Sequence, residues 1–185
     1  MKNKTLNAIL LSLLYVVAFF VGELLGFLHP FLWVYFALPV AILAAYPYIK
    51  LCKKHQVFGI SLLPVGMLLL IYLLMGEVNK ENPQFPIIAG LLACVAELLR
   101  RYAGGYGNIK STILSYCAIA LVPFGSTSIM WFRPQYAMGV TLAEMGPKYA
   151  ASMHKIIEPW ILVVMIIVVI AVAYLSASFV AKKCK

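Results

Sequence analysis

Six apolar stretches occupy most of a 185-residue chain, and they constrain its fold more than any other feature: Leu6–Leu28, Phe31–Ile49, Val57–Met75, Pro86–Leu99, Ile113–Met130 and Trp160–Ala181. A bilayer core is crossed by about 20 apolar residues in helical form. All the stretches but Pro86–Leu99 meet that length, and this one borrows its neighbours. The expected crossings are about 6–28, 31–49, 57–75, 86–101, 111–130 and 160–181. The expected fold is an all-α membrane protein, a compact six-helix bundle forming a single domain over 1–185. Hydrophobic residues make up 64% and charged residues 11%, against about 45–50% and 25% in soluble domains, so little chain remains for a soluble domain. The apolar run after Met1-Lys2-Asn3-Lys4 is too long for a signal-peptide core and has no small-x-small site before Glu23. It is expected to be retained as a first helix.

The net charge of +9 is distributed by side. With six crossings both termini share a side, and that side collects Lys2, Lys4, Lys50, Lys53, Lys54, Arg100, Arg101, Lys110, Lys182, Lys183 and Lys185. The opposite side holds Lys80, Arg133, Lys148 and Lys155. By the positive-inside rule both termini are expected to be cytoplasmic. The basic residues are then topology determinants rather than a nucleic-acid surface. The outer charges balance, with Glu77, Glu81, Glu144 and Glu158 facing those four cations. Cys52, Cys94, Cys117 and Cys184 form no C-x-x-C pair and suggest neither a disulfide framework nor a metal site.

Prolines interrupt the spans at Pro39, Pro47 and Pro64. Each removes a backbone donor, so a neighbouring group must satisfy the freed carbonyl. A kinked bundle enclosing a cavity is expected. The segment Trp131–Pro159, on the outer side, is expected to form helices around Tyr136–Met145 and Lys148–Ile157, broken at Gly146-Pro147. The second places Tyr149, Met153, Ile156 and Ile157 on one face, suited to lying on the membrane or folding over the bundle mouth.

Two catalytic patterns fail on missing parts. Glu97-x-x-x-Arg101 resembles part of a CAAX-type protease signature, but Ala96 stands where a second glutamate is required, and the last two spans hold no histidine. An ion pair of Glu97 with Arg100 or Arg101 at a helix end is expected instead. Gly104-Gly105-Tyr106-Gly107-Asn108-Ile109-Lys110-Ser111 lacks the Gly-Lys step of a phosphate loop and reads as a turn.

The outer side is rich in aromatic and liganding residues. An interfacial belt accounts for some of them. Glu23, the one acid well inside a span, together with His29, Trp33, Trp131, Arg133, Tyr136 and His154, forms the candidate substrate-binding set. Aromatic rings would stack a planar ligand, Arg133 would pair with a carboxylate or phosphate, and Glu23 would accept a hydrogen bond. The two histidines keep haem open as a bound ligand. Small residues at four-residue spacing allow close helix approach. Gly22/Gly26 and Ala89/Ala93 read as internal packing, whereas Ala8/Ser12 and Ala173/Ala177/Ala181 read as a docking face for another membrane protein.

Several segments carry a family resemblance: Leu92-Ala93-Cys94-Val95-Ala96-Glu97-Leu98-Leu99, Gly104-Gly105-Tyr106, Asn108–Tyr116, Arg133–Met138, and Ala143-Glu144-Met145-Gly146-Pro147-Lys148-Tyr149-Ala150. Over almost the whole length the chain resembles the Trep_Strep (MptD-like) family, grouped with the S components of energy-coupling factor (ECF) transporters. Span one departs from the repeated Ala-x-x-x-Ala of such components, since Val16 follows Ala8 and Ser12. The resemblance implies a multi-pass protein of the bacterial cell membrane that is not an enzyme and has no cofactor of its own. It would capture a micronutrient (vitamin, haem or iron chelate) from outside, and pass it to a T component and two cytoplasmic ATPases. An accessory membrane subunit without a ligand and a small intramembrane enzyme are the alternatives.

Overall fold

The computed structural model describes residues 2–78 and 82–183; Met1, Asn79, Lys80, Glu81, Cys184 and Lys185 lie outside the described residues. Among the described residues 82% are helical, and no strand occurs. In order the helices are α1 (Lys2–Leu24, extended by a 3-10 turn Leu25–Leu28), α2 (Pro30–Val34), α3 (Ala37–Leu43), α4 (Ala45–Lys54), α5 (Leu62–Leu74) and α6 (Gln84–Tyr102). They continue as α7 (Ile109–Ile119), α8 (Val122–Thr127), α9 (Ile129–Phe132), α10 (Pro134–Met145), α11 (Pro147–His154) and α12 (Pro159–Lys183).

Among the described residues, three helical stretches are long and apolar enough to cross a membrane: Asn3–Leu28, Ile109–Thr127 (α7 and α8 together) and Pro159–Lys183. The other expected crossings take different forms. Phe31–Ile49 is divided among α2, α3 and α4, with breaks at Tyr35–Phe36 and Ala44. Val57–Met75 becomes helical only from Leu62, after Gly59 turns the chain with φ of +83°. Pro86–Leu99 lies inside α6, whose last turn carries Arg100 and Arg101.

Side-chain hydroxyls reach backbone carbonyls at the breaks. Pro123 in α8 cannot donate to the carbonyl of Ile119, and the Tyr15 hydroxyl of α1 lies 3.5 Å from that oxygen. Just before the Ala44 break, the Tyr116 hydroxyl of α7 reaches the carbonyls of Ala41 (2.9 Å) and Val40 (3.3 Å). Tyr48 and Ser115 pair their hydroxyls at 3.0 Å beside it. Close approach elsewhere needs glycine: a Cβ on Gly125 would meet the Phe85 ring and carbonyl at 3.2 and 3.3 Å, where α6 packs on α8.

At the end of the bundle that gathers Lys53, Lys54, Arg101, Lys110, Lys182 and Lys183, a buried clamp joins α6 to the α4–α5 connection. Glu97 accepts from the amides of Gly59 (2.9 Å) and Ser61 (3.3 Å). Arg100, fully buried, donates to the Ser61 hydroxyl and the Cys52 carbonyl, each at 3.2 Å. The Tyr106 ring stands 5.0 Å from the Arg100 guanidinium carbon. The expected ion pair at a helix end is therefore an interior polar joint. The glycine-rich segment beyond it is a helix cap: Asn108 accepts from the Lys110 amide at 2.8 Å, and Ser111 donates to the carbonyls of Gly105 and Asn108. Gly104 and Gly105 supply the positive φ values of that turn.

The expected docking face needs correcting. Ala8, Ser12, Ala173, Ala177 and Ala181 are buried inside this fold. In α12 the small residues continue the stripe Met165, Val169, Ala173, Ala177, Ala181, and the helix packs on α7, α3 and α4. Their spacing lets helices of this chain approach one another. The outward faces of α1 and α12 carry large apolar residues such as Leu10, Leu14, Ile167 and Leu175.

Replacing Glu97 by Ala strands the Gly59 and Ser61 amides beside a buried guanidinium. A loss of about 1–3 kcal/mol is expected for the orphaned donors, more if Arg100 is left uncompensated. Thermal unfolding of the detergent-solubilised protein measures it, and Glu97→Gln should lose less because one acceptor remains.

Candidate functional site

A cavity of about 450 Å3 opens at the opposite end of the bundle, within the range of about 300–1,000 Å3 usual for small-molecule sites. Its floor begins with an aromatic cluster. Phe19 meets Phe36 edge-on at 5.1 Å and Tyr72 at 5.9 Å; Tyr72 packs on Phe85 at 4.7 Å and stacks on Phe20 at 5.6 Å. This cluster joins α1, the start of α3, α5 and α6. It aims the Tyr72 hydroxyl at Glu23, donating to the two carboxylate oxygens at 2.9 Å each. Glu23 is half-buried and lines the cavity with Phe20 and Phe27 from the same end of α1.

The walls come from four further places. Trp33 of α2 is held in place by Gly26: a Cβ there would stand 2.9 Å from the Trp33 Cα. Its ring also meets Phe27 edge-on at 5.9 Å. Ser126, Ile129 and Met130 line the side formed by α8 and α9, while α10 contributes Tyr136, Ala137, Val140, Thr141 and Glu144. Glu77 and Asn82, within the α5–α6 connection, complete the lining. A small annex of about 60 Å3 continues from Glu23, Trp33 and Ser126 toward Thr127.

Of the candidate residues, the structure brings Glu23, Trp33 and Tyr136 to the cavity. Trp131 is part of the frame: its indole Nε1 donates to the Ile157 carbonyl at 2.7 Å. Arg133 is exposed and lies outside the lining, with its guanidinium carbon 5.0 Å from the Tyr136 ring centroid. His29 caps α2 by accepting from the Phe31 amide at 3.1 Å, and His154 sits exposed in the last turn of α11; neither lines the cavity. Tyr72, Glu77, Glu144 and Thr127 were not picked out by the sequence. Glu144 lay within one of the segments that carry the family resemblance, a signal that was available.

The outer helices are fastened to the bundle. Tyr149 of α11 donates to the Gly26 carbonyl at 2.6 Å, and Tyr35 donates to the Ile156 carbonyl at 2.6 Å. With Trp131 on Ile157, three aromatic donors hold the segment 149–157. Met153 is fully buried and Tyr149, Ile156 and Ile157 half-buried, so α11 turns its apolar face inward, packed on α2. None of its residues lines the cavity. The cavity wall itself is α10. Gly146, with φ of +84°, makes the corner between these two helices.

The sequence model of the Trep_Strep family, described as hypothetical bacterial integral membrane protein, matches residues 4–185. No curated protein and no solved structure matches the chain.

Removing the hydroxyl in Tyr149→Phe leaves the Gly26 carbonyl without that donor, at a cost of about 1 kcal/mol. Hydrogen exchange should rise in α11 and the turn after it while α6 and α7 remain protected. Mass-spectrometric exchange in detergent or nanodiscs reads this directly.

Proposed function

We propose that this chain, which belongs to the Trep_Strep family of hypothetical bacterial integral membrane proteins, is the substrate-capturing S component of an ECF-type importer. The observation that carries the reading is the cavity of about 450 Å3 at the end of the bundle remote from the basic cluster. Under the positive-inside rule, that cluster marks the cytoplasmic side, so the cavity faces outward and both termini face inward. The bundle then makes six crossings, with α2–α3–α4 acting as one broken crossing and α5 as a short one.

The division of labour follows from what the cavity residues offer. Aromatic walls and carboxylates can bind and orient a small molecule. The glycine-rich turn at the other end spends Ser111 and Asn108 on its own backbone, so energy from nucleotide hydrolysis would have to come from partners, a T component and two ATPases. Their contact would fall on the outward apolar faces of α1 and α12, because the small-residue stripes are already used inside the fold. Micronutrient capture places the ligand against Trp33, Tyr136 and Glu23, with α10 as the wall that closes over it.

The test is native mass spectrometry of the tagged chain, gently extracted from its own host. The expected species is the chain with one T component and two ATPases, together with a small molecule. Val140→Trp, which fills the cavity from α10, should lose the small molecule and keep the partners. A chain that is recovered alone in every extraction, with no small molecule, would overturn the reading.

A further inference from the structure

We propose that the ligand of this cavity is an organic cation, an aromatic or N-alkylated ammonium compound, rather than a carboxylate- or phosphate-bearing one. The inference deepens the capture reading above and rests on it. The charged side chains lining the cavity, among the described residues, are Glu23, Glu77 and Glu144; no lysine, arginine or histidine lines it. Glu23 is half-buried at the floor, while Glu77 and Glu144 are exposed and come from the α5–α6 connection and α10. An anion seated among three carboxylates gains only repulsion, whereas a cation gains attraction from each in a medium less polar than water.

The uncharged walls favour the same class. Phe20, Phe27, Trp33 and Tyr136 line the cavity together with the acids. Aromatic faces attract alkylated ammonium groups as well as stacking planar rings. A bare metal ion is a poor alternative, because no group of three or more His, Cys, Asp or Glu side chains among the described residues is placed to hold one.

A second observation points to a ligand independently of charge. Thr127 is 5% exposed, and its Oγ1 is buried with no hydrogen-bond partner. It faces the annex shared with Glu23, Trp33 and Ser126. A buried hydroxyl without a partner is costly, and a polar group of the ligand entering the annex would satisfy it. The ligand thus carries a cationic centre near Glu23 and a hydrogen-bonding substituent that reaches Thr127.

The balanced outer charges of the sequence concealed this preference. Arg133 lies beyond the lining over Tyr136, and Lys148 and Lys155 are on the exposed side of the α11 region. The acids face the cavity and these cations do not.

Isothermal titration of the full chain in nanodiscs, with benzyltrimethylammonium, N,N-dimethylbenzamide and benzylsulfonate as probes, tests the assignment. Saturable binding of the ammonium compound is expected, with the benzamide weaker and the sulfonate not saturable. Glu144→Gln, at an exposed position where folding is not at stake, should weaken the ammonium compound about tenfold, and Glu23→Gln by at least as much. Equal affinity for the benzamide, preference for the sulfonate, no saturable binding of the cation, or unaltered binding in both variants would overturn the proposal. Partner recovery in the mass spectrum does not depend on ligand charge. A chain that assembles but selects the sulfonate therefore loses only the ligand class, and one that binds the cation without partners loses only the importer reading.

Discussion

Hydrocarbon offers nothing to a carbonyl that has lost its helical donor, and this structure is organised around meeting that need internally. Broken helices are useful because they bend walls and leave room for a cavity, but each break exposes a polar backbone atom. Here the donors come from aromatic side chains. Tyr116 serves the carbonyls before the Ala44 break, and Tyr15 points at the one freed by Pro123. Tyr35, Tyr149 and Trp131 serve the corners at the other end. Their rings fill apolar space while one polar atom makes the bond, so packing and polar satisfaction are achieved by the same residue. At the basic end the same requirement is met with charge, by Glu97 and Arg100 holding the α4–α5 connection.

Much of the helical content was legible because hydrophobicity is a one-dimensional signal. The glycine-rich turn and the break at Gly146-Pro147 were also legible, since cap and corner chemistry is local. The division of residues 30–54 into three helices was not, because where a kink falls depends on which neighbour supplies the replacement hydrogen bond. The small-residue stripes show the limit of pattern reading. Ala173, Ala177 and Ala181 announce that something approaches closely, and this is equally true of a helix in the same chain and of another protein. In this fold the occupant is internal.

The cavity was half legible. Glu23 stood out because an acid inside an apolar run is expensive and therefore conspicuous. Trp33 and Tyr136 were found as part of an aromatic-rich side, but Trp131 belonged to the same list and proved to be a strut. Tyr72 was hidden because a tyrosine in an apolar helix resembles any other core aromatic until α1 is laid beside α5. Glu144 and Glu77 were counted among the charges expected on the outer side, yet a count carries no direction. Which charges face inward is set by the rotation of α10 and the path of the α5–α6 connection, and neither is written in spacing.

The three tryptophans occupy three distinct surroundings. Trp33 lines the cavity, Trp131 is hydrogen-bonded within the frame, and Trp160 stands 66% exposed at the start of α12. The chain thus carries its own set of optical reporters. Emission from one indole follows occupancy of the cavity, emission from the second follows the fastening of the outer segment, and emission from the third follows the lipid or water around the bundle. Single-tryptophan versions of the protein would separate filling, unfastening and reorientation in the membrane without any attached label.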